Sequence, residues 1–257
     1  MLSESVQGKP ISYCASDKDS KTIRCCIESL SQLRDLTSTF PPLVQDQRFG
    51  NKAFRDWHKK MTELADDMLL AMLPSTVSAA AVVELQPYWI SSFGDPVRID
   101  YGSGHEALFL AFCLVLSAIG ALSKEDAPAI VLRLFVEYLK TFRHLQITYM
   151  LEPAGSHGVF GVDDYSFLPF LFGSSQLIDH PRITPVSVLE ANVVEDGYSE
   201  YMYLDAIRFI NQCKKGAFHE HSRVLYNITD CPHWQKVNGG MIKMYRAEVL
   251  QKVRLTH

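Results

Sequence analysis

Along most of this 257-residue chain the apolar side chains return every three or four positions, the period of one helix face, and they do not alternate cleanly over a strand's length. Lys21 to Thr39 carries Ile23, Ile27, Leu30 and Leu33; Asn51 to Leu73 carries Phe54, Trp57, Met61, Leu64 and Met68. From Pro128 to Tyr149, Val131, Leu134, Phe135, Tyr138, Phe142 and Leu145 share a stripe opposite Arg133, Glu137 and Lys140. Pro128 suits a first helical turn, where its missing N–H costs nothing. Ser199 to Lys215 repeats the pattern through Met202, Ile207, Ile210 and Cys213 and stops at Gly216, while Val237 to Val253 reads as a last helix. The nearest approach to a strand, Arg182 to Val194, is weakened by Pro185. These patterns predict an all-α, multi-helix single domain over residues 21–257, preceded by a polar and poorly ordered segment over 1–20.

Hydrophobic residues make up 47% of the chain and charged ones 21%, enough to build a full-sized core. A formal net charge of -4, with basic residues in ones and twos such as Lys59-Lys60 and Lys214-Lys215, argues against nucleic acid as a partner. The longest apolar run, Ala107 to Leu122, falls short of the roughly 20 residues a bilayer crossing takes, so it is expected as a buried helix and no membrane partner is expected. The polar start lacks the parts of a secretory signal, and the six cysteines contain no CxxC pair; both point to reduced thiols in the cytoplasm. His219-Glu220-His221 sets two histidines roughly 200 degrees apart on a helix, which does not suit one zinc ion.

Two glycine-rich loops interrupt the helical pattern. In Arg98-Ile99-Asp100-Tyr101-Gly102-Ser103-Gly104-His105-Glu106, two glycines free the backbone, Ser103 offers a hydroxyl, and the apolar helix expected from Ala107 presents its N-terminal N–H groups. Such an end attracts phosphate, and Arg98 could add a charge-assisted contact; equally, the glycines could simply cap a helix while Arg98 pairs with Asp100 or Glu106. In the second loop, Gly155, Gly158 and Gly161 recur every third residue and are followed by Asp163 and Asp164. Those carboxylates could hold magnesium with its nucleotide phosphates, or could cap the next helix. His157 in the same loop is a candidate acid, base or ligand, or a structural hydrogen-bond donor. Phe160, Tyr165, Phe167, Phe170 and Phe172 read either as core or as an apolar wall for a proline-containing peptide, whose rotation about the X–Pro amide needs no nucleophile.

These loops, together with Gln47-Arg48-Phe49-Gly50-Asn51-Lys52-Ala53-Phe54-Arg55 and Phe170-Leu171-Phe172-Gly173-Ser174-Ser175-Gln176-Leu177-Ile178-Asp179-His180-Pro181, resemble the signature segments of the phosphatase 2A activator family, also called phosphotyrosyl phosphatase activators. The resemblance runs from about Ile23 to Val253. It implies a helical fold with core, linker and lid parts, a pocket for ATP and magnesium, a peptide groove, and peptidyl-prolyl cis/trans isomerase activity in a protein of cytoplasm and nucleus. It implies as partners the catalytic subunit of the type 2A serine/threonine phosphatase, free or scaffold-bound, and a proline-containing peptide. The positions matching the family's nucleotide pocket are Arg98, Ser103 and Gly104, with Gly158 (through its carbonyl) and Asp164 near the metal. The stretch tied to isomerase activity matches Gly158, Val159, Phe160, Gly161, Val162 and Asp163. Phe160 stands where a tryptophan is usual and Ser103 where a threonine is. Family members carry a further helical segment before the position of Ile23 and a tail beyond that of Val253 that helps close the nucleotide pocket. The resemblance therefore leaves a second expectation beside the first, a phosphatase-binding scaffold that has lost nucleotide binding.

Overall fold

The computed structural model describes residues 2–155, 158 and 161–251. Helix α1 is Leu2–Ser5, and α2 (Lys21–Asp35), α3 (Ala53–Met72) and α4 (Ala81–Ser91) follow. Strand β1 (Asp100–Tyr101) leads into α5 (Ser103–Ala118); α6 (Ala127–Ala129), a wider π turn over Ile130–Phe135 and α7 (Val136–Tyr149) then run on without a break. Strand β2 (Glu152–Pro153) precedes α8 (Leu168–Gln176), α9 (Ala191–Gly197), α10 (Met202–Cys213), α11 (Phe218–His221), α12 (Arg223–Ile228) and α13 (Trp234–Tyr245). The architecture is all-helical apart from those two short strands, as the periodicity predicts. Among the described residues no helix is long and apolar enough to cross a membrane. Among the described residues the six cysteines form no disulfide with one another. The chain divides into two compact units, Met1–Tyr13 with Gly155–His257 and Cys14–Ala154. The division falls inside the second glycine loop, where no composition change marks it.

In the unit of residues 14–154, α2 is capped by Ser20, whose side chain accepts from the Ile23 N–H. Its buried Ile23, Cys26, Leu30 and Leu33 face α3, where Phe54, Trp57, Met61, Ala65 and Met68 keep the same spacing. Trp57 is fully buried and its indole N–H donates to the Leu33 carbonyl at 3.0 Å, so the large side chain brings no unpaired donor into the core. Two buried tyrosines continue the polar bookkeeping: Tyr138 donates to the Ser92 carbonyl at 2.6 Å, which leaves Tyr101 to donate to Tyr138 across 2.7 Å. Asp19 is buried against Arg133, whose Nη2 lies 3.1 Å from Oδ2.

In the other unit every residue of α8 is buried. The buried amide of Gln176 joins separate backbone strands of the unit, donating to the carbonyls of Lys9 (3.0 Å) and Glu200 (3.1 Å) and accepting from the Met202 N–H at 2.9 Å. Asn238 of α13 donates to the Leu171 carbonyl at 2.8 Å. The polar stretch expected to lack order carries α1 and two single 3-10 turns, Ile11–Tyr13 and Ser16–Lys18. Val6 is fully buried, and the Gly8 N–H donates to the Ser175 carbonyl at 3.1 Å. One apolar side chain and a few backbone bonds anchor the polar segment, and neither leaves a periodic trace in sequence.

Three helix boundaries differ from the pattern reading. The apolar helix starts at Ser103, four residues before Ala107, and Leu114 within it is 69% exposed, so its run is not buried on every face. The last helix begins at Trp234 and ends in a π turn over Arg246–Leu250, with Lys252 and Val253 outside the described residues. Arg182 to Val194, the strand-like stretch, instead folds as a 3-10 helix over Pro185–Leu189 running into α9, because Pro185 occupies a first helical turn.

Candidate functional site

The first glycine loop is a strained corner held from three sides. Ile99 has φ 54°, rare for a β-branched residue, and its N–H donates to the Asp95 carbonyl at 2.7 Å. The Asp95 carboxylate accepts from the N–H groups of Val97 (2.8 Å) and Arg98 (2.9 Å). The chain then enters β1, which pairs in parallel with β2 in the register Asp100↔Glu152 and Tyr101↔Pro153. In a parallel pair only alternate residues donate to a given neighbour; here Glu152 and Ala154 donate, to Ile99 and Tyr101, so the missing N–H of Pro153 costs no bond. The two loops met separately in the sequence are thus neighbours at Asp100–Tyr101 and Glu152–Ala154.

This pairing explains Gly102. A Cβ there would stand 2.7 Å from the Ala154 carbonyl oxygen, so only glycine lets the strand continue into α5, and Gly102 is extended at φ -167°. Ser103 and Gly104 therefore form the first turn of α5 and do not precede it. Among the described residues no acceptor takes the Ser103 or Gly104 amide, and nothing lies within 4 Å of the place a Gly104 Cβ would occupy. Amides without an acceptor among the described residues at the positive end of a 16-residue helix, with open space beside Gly104, are of the kind an anionic group takes.

Arg98 is not free to serve it alone. Its guanidinium donates to both oxygens of Asp100, at 2.7 and 3.3 Å, and its Nη1 lies 3.0 Å from the Asp95 carboxylate. Asp95 was not among the partners expected from the sequence, and Glu106 is buried in α5. Burial raises the Asp100 carboxyl's pKa, but His105 and Arg98 outweigh it and hold the group below the usual carboxylate range. His105 is aimed by a 2.6 Å contact of Nδ1 with the Ser91 carbonyl and lies flat against Tyr101 at 5.7 Å. Arg98, with its side chain 60% exposed, is a pre-aimed cation whose two carboxylates already half-neutralise it.

The remaining residues singled out in the sequence belong to the other unit. Gly158 has φ 55°, with nothing within 4 Å of a would-be Cβ, and its carbonyl accepts from the Gly161 N–H at 3.0 Å. Val162 is buried, so it supports the loop from within. Asp163 accepts from the N–H groups of Tyr165 (3.1 Å) and Ser166 (3.0 Å): it caps the turn that precedes α8, the structural duty weighed for it beside metal binding. Asp164 faces Lys214, with Nζ 2.6 Å from Oδ2. Lys214 is the residue sequence reasoning missed, since fifty positions separate the pair. Val159, Phe160 and His157 lie outside the described residues. Phe167, Phe170 and Phe172 are packed into the core, Phe167 against Tyr245 at 5.4 Å and Phe170 edge-on to Tyr203 at 5.2 Å, while Tyr165 is half-buried.

A sequence profile described as phosphotyrosyl phosphate activator (PTPA) protein matches residues 1–257. The chain belongs to this family. Other PTPA-type proteins resemble it closely. It is 41% identical over 253 residues to a probable serine/threonine-protein phosphatase 2A activator 1 of Dictyostelium discoideum, covering 98% of this chain and 77% of that protein. It is 45% identical over 229 residues to the serine/threonine-protein phosphatase 2A activator 1 of Schizosaccharomyces pombe, with 88% and 70% covered. The crystal structure of the PP2A phosphatase activator Ypa1 PTPA1 superposes with a TM-score of 0.86 at 35% identity over 98% of this chain and 80% of that one. The PTPA fold is therefore shared at the level of the helices described above.

Taken unit by unit, the donors are of the kinds that a phosphate group and a magnesium ion accept. The unit of residues 14–154 offers free amides, a hydroxyl and a guanidinium; the other offers a glycine carbonyl and a carboxylate, hard oxygens of the type magnesium takes. Among the described residues no group of three or more metal-ligating side chains occurs, so phosphate and water oxygens would have to complete the metal's coordination.

Proposed function

We propose that this PTPA-family chain activates the type 2A serine/threonine phosphatase by binding its catalytic subunit, free or scaffold-bound, that it uses magnesium ATP, and that it isomerises prolyl bonds. Relatives named as activators of that phosphatase support the first part. One observation carries the nucleotide reading: the start of α5, with its Ser103 and Gly104 amides unclaimed and open space at Gly104, is held in place by strand pairing and not left to loop flexibility. Arg98 would add a charge-assisted bond to a phosphate oxygen, and the Gly158 carbonyl and Asp164 would hold the metal. When bound, the metal and triphosphate would supply concentrated charge beside backbone groups and paired side chains. For isomerisation the chain needs only to desolvate the amide and favour its twisted form, so the Gly158 to Asp163 segment serves by shape.

Calorimetric titration of the full chain with magnesium ATP tests the reading. Arg98→Ala and Asp164→Ala are each expected to weaken binding by about 10- to 100-fold, the scale of one charge-assisted contact. Tight binding untouched by both substitutions overturns the assignment. No heat in any arm, together with retained capture and activation of the phosphatase subunit, establishes the scaffold reading, which the prior engagement of Arg98 and Asp164 in ion pairs favours.

For the isomerase, Asp163→Asn retains an acceptor for the Tyr165 and Ser166 amides whereas Asp163→Ala does not. In a protease-coupled proline-peptide assay the Asn variant is expected to stay within about twofold of the parent and the Ala variant to fall about tenfold, one hydrogen bond's worth. Equal loss in both would show that the carboxylate's charge, and not the turn, is what matters.

A further inference from the structure

We infer that Lys214 is a built-in counter-cation that occupies the Asp164 carboxylate when no metal is bound, so that loading the site exchanges one cation for another. The inference rests on the reading of Asp164 as a metal ligand and concerns one unit of the chain only. Lys214 Nζ lies 2.6 Å from Asp164 Oδ2, and the two side chains are 25% and 22% exposed. At that distance and burial the attraction is screened far less than between two surface side chains.

The backbone of Lys214 is anchored at the end of a helix. It ends α10, its N–H donates to the Ile210 carbonyl at 2.8 Å, and the chain turns away through Gly216 at φ 103°. A cation is favoured at a helix C-terminus, so the position suits lysine on its own account. Of the pair Lys214-Lys215 only the first meets the carboxylate; Lys215 stays exposed. An ammonium is a compact point charge on four methylenes, able to leave without moving the helix. Magnesium seeks the same carboxylate oxygens. Metal alone must then displace the ammonium with nothing in exchange, whereas a metal arriving with phosphates brings an anion with it. The exchange thus ties metal uptake to the nucleotide and keeps the bare chain from collecting divalent ions.

The test uses Mn2+ alone on the full chain, read by the loss of the free-ion electron paramagnetic resonance signal. Lys214→Met is expected to bind Mn2+ about tenfold more tightly than the parent, the size of removing one neighbouring positive charge at a half-buried site. Lys214→Arg, which keeps the charge, should bind as weakly as the parent, and Asp164→Asn should bind weakly whether or not Lys214 is replaced. If Lys214→Met binds no more tightly than the parent while Asp164→Asn still weakens the binding of magnesium ATP, the inference falls and the metal reading stands. If Asp164→Asn changes neither measurement, both fall together.

Discussion

Gly173→Ala destabilises the chain by about 3 kcal/mol or more, although alanine is the better helix former by about 1 kcal/mol. Gly173 sits in the middle of α8, and a Cβ there would stand 2.2 Å from the Tyr203 backbone nitrogen and 2.7 Å from its Cα. Those atoms belong to α10, so relief requires moving a helix and not turning a side chain. Every residue of α8 is buried, and Phe170 packs edge-on against Tyr203 itself, so separating the two helices opens the core on both sides. The same exchange at Gly239 or Gly240 has the opposite sign. Both lie inside α13 with nothing within 4 Å of a would-be Cβ, and each alanine is expected to add about 0.5–1 kcal/mol. Urea denaturation followed by circular dichroism measures all three. A Gly173→Ala midpoint at or above that of the parent would show that the helices do not cross as closely as described.

Acid is expected to remove about 3 kcal/mol through a single buried histidine. His58 lies on α3 among Phe54 and Trp57, is 7% exposed, and its Nε2 has no hydrogen-bond partner among the described residues. Burial lowers its pKa from 6.5 to about 4, against opposing contributions from Asp95 and from the Ile90 and Gly94 backbone, with His105 adding to the depression. The unfolded chain therefore takes up a proton below about pH 6.5 that the folded chain refuses until about pH 4. Stability from this group is complete above the first value and lost progressively as pH falls to the second; the 2.5-unit gap at about 1.36 kcal/mol per unit sets the size. His144, His180 and His221 are also lowered, mainly by burial, and add to the loss as pH falls below the ordinary histidine value. Asp100 and Glu137 act at lower pH, because their depressed carboxyls lose stability only on protonation. Comparing denaturation free energies at pH 7 and pH 4 for the parent and His58→Gln isolates the one residue. The variant's pH dependence should be smaller by about 3 kcal/mol, and an unchanged difference would place His58 in contact with water.

Lys214 and Asp95 show how sequence and fold divide the candidate site. The glycine loops, with Arg98, Ser103, Gly104 and Asp164 in them, stand out in sequence because each breaks a helical period, and the family resemblance attaches chemistry to them. Their partners do not stand out. Arg98 pairs with Asp95 as well as Asp100 because Ile99 takes a left-handed turn between them, and a β-branched residue is the last place to expect one. The start of α5 moves to Ser103 because Ala154, some fifty residues on, presses against Gly102. The local signal there is only a glycine, which a flexible loop would also carry.

The helices α2, α3, α7 and α10 and the stop near Gly216 follow from the chain alone, because a helix is made by residues three and four apart and their spacing is written in the order of the letters. Membership of the PTPA family was legible in the same way, from four short segments in register. What only the tertiary structure decided is each contact between distant residues: β1 on β2, Gln176 on Lys9 and Met202, Gly173 against Tyr203, Lys214 on Asp164. Such pairs depend on where whole helices come to rest, and the free energy that puts them there comes from burial of apolar surface, which has no direction and leaves no mark beside the residues it brings together.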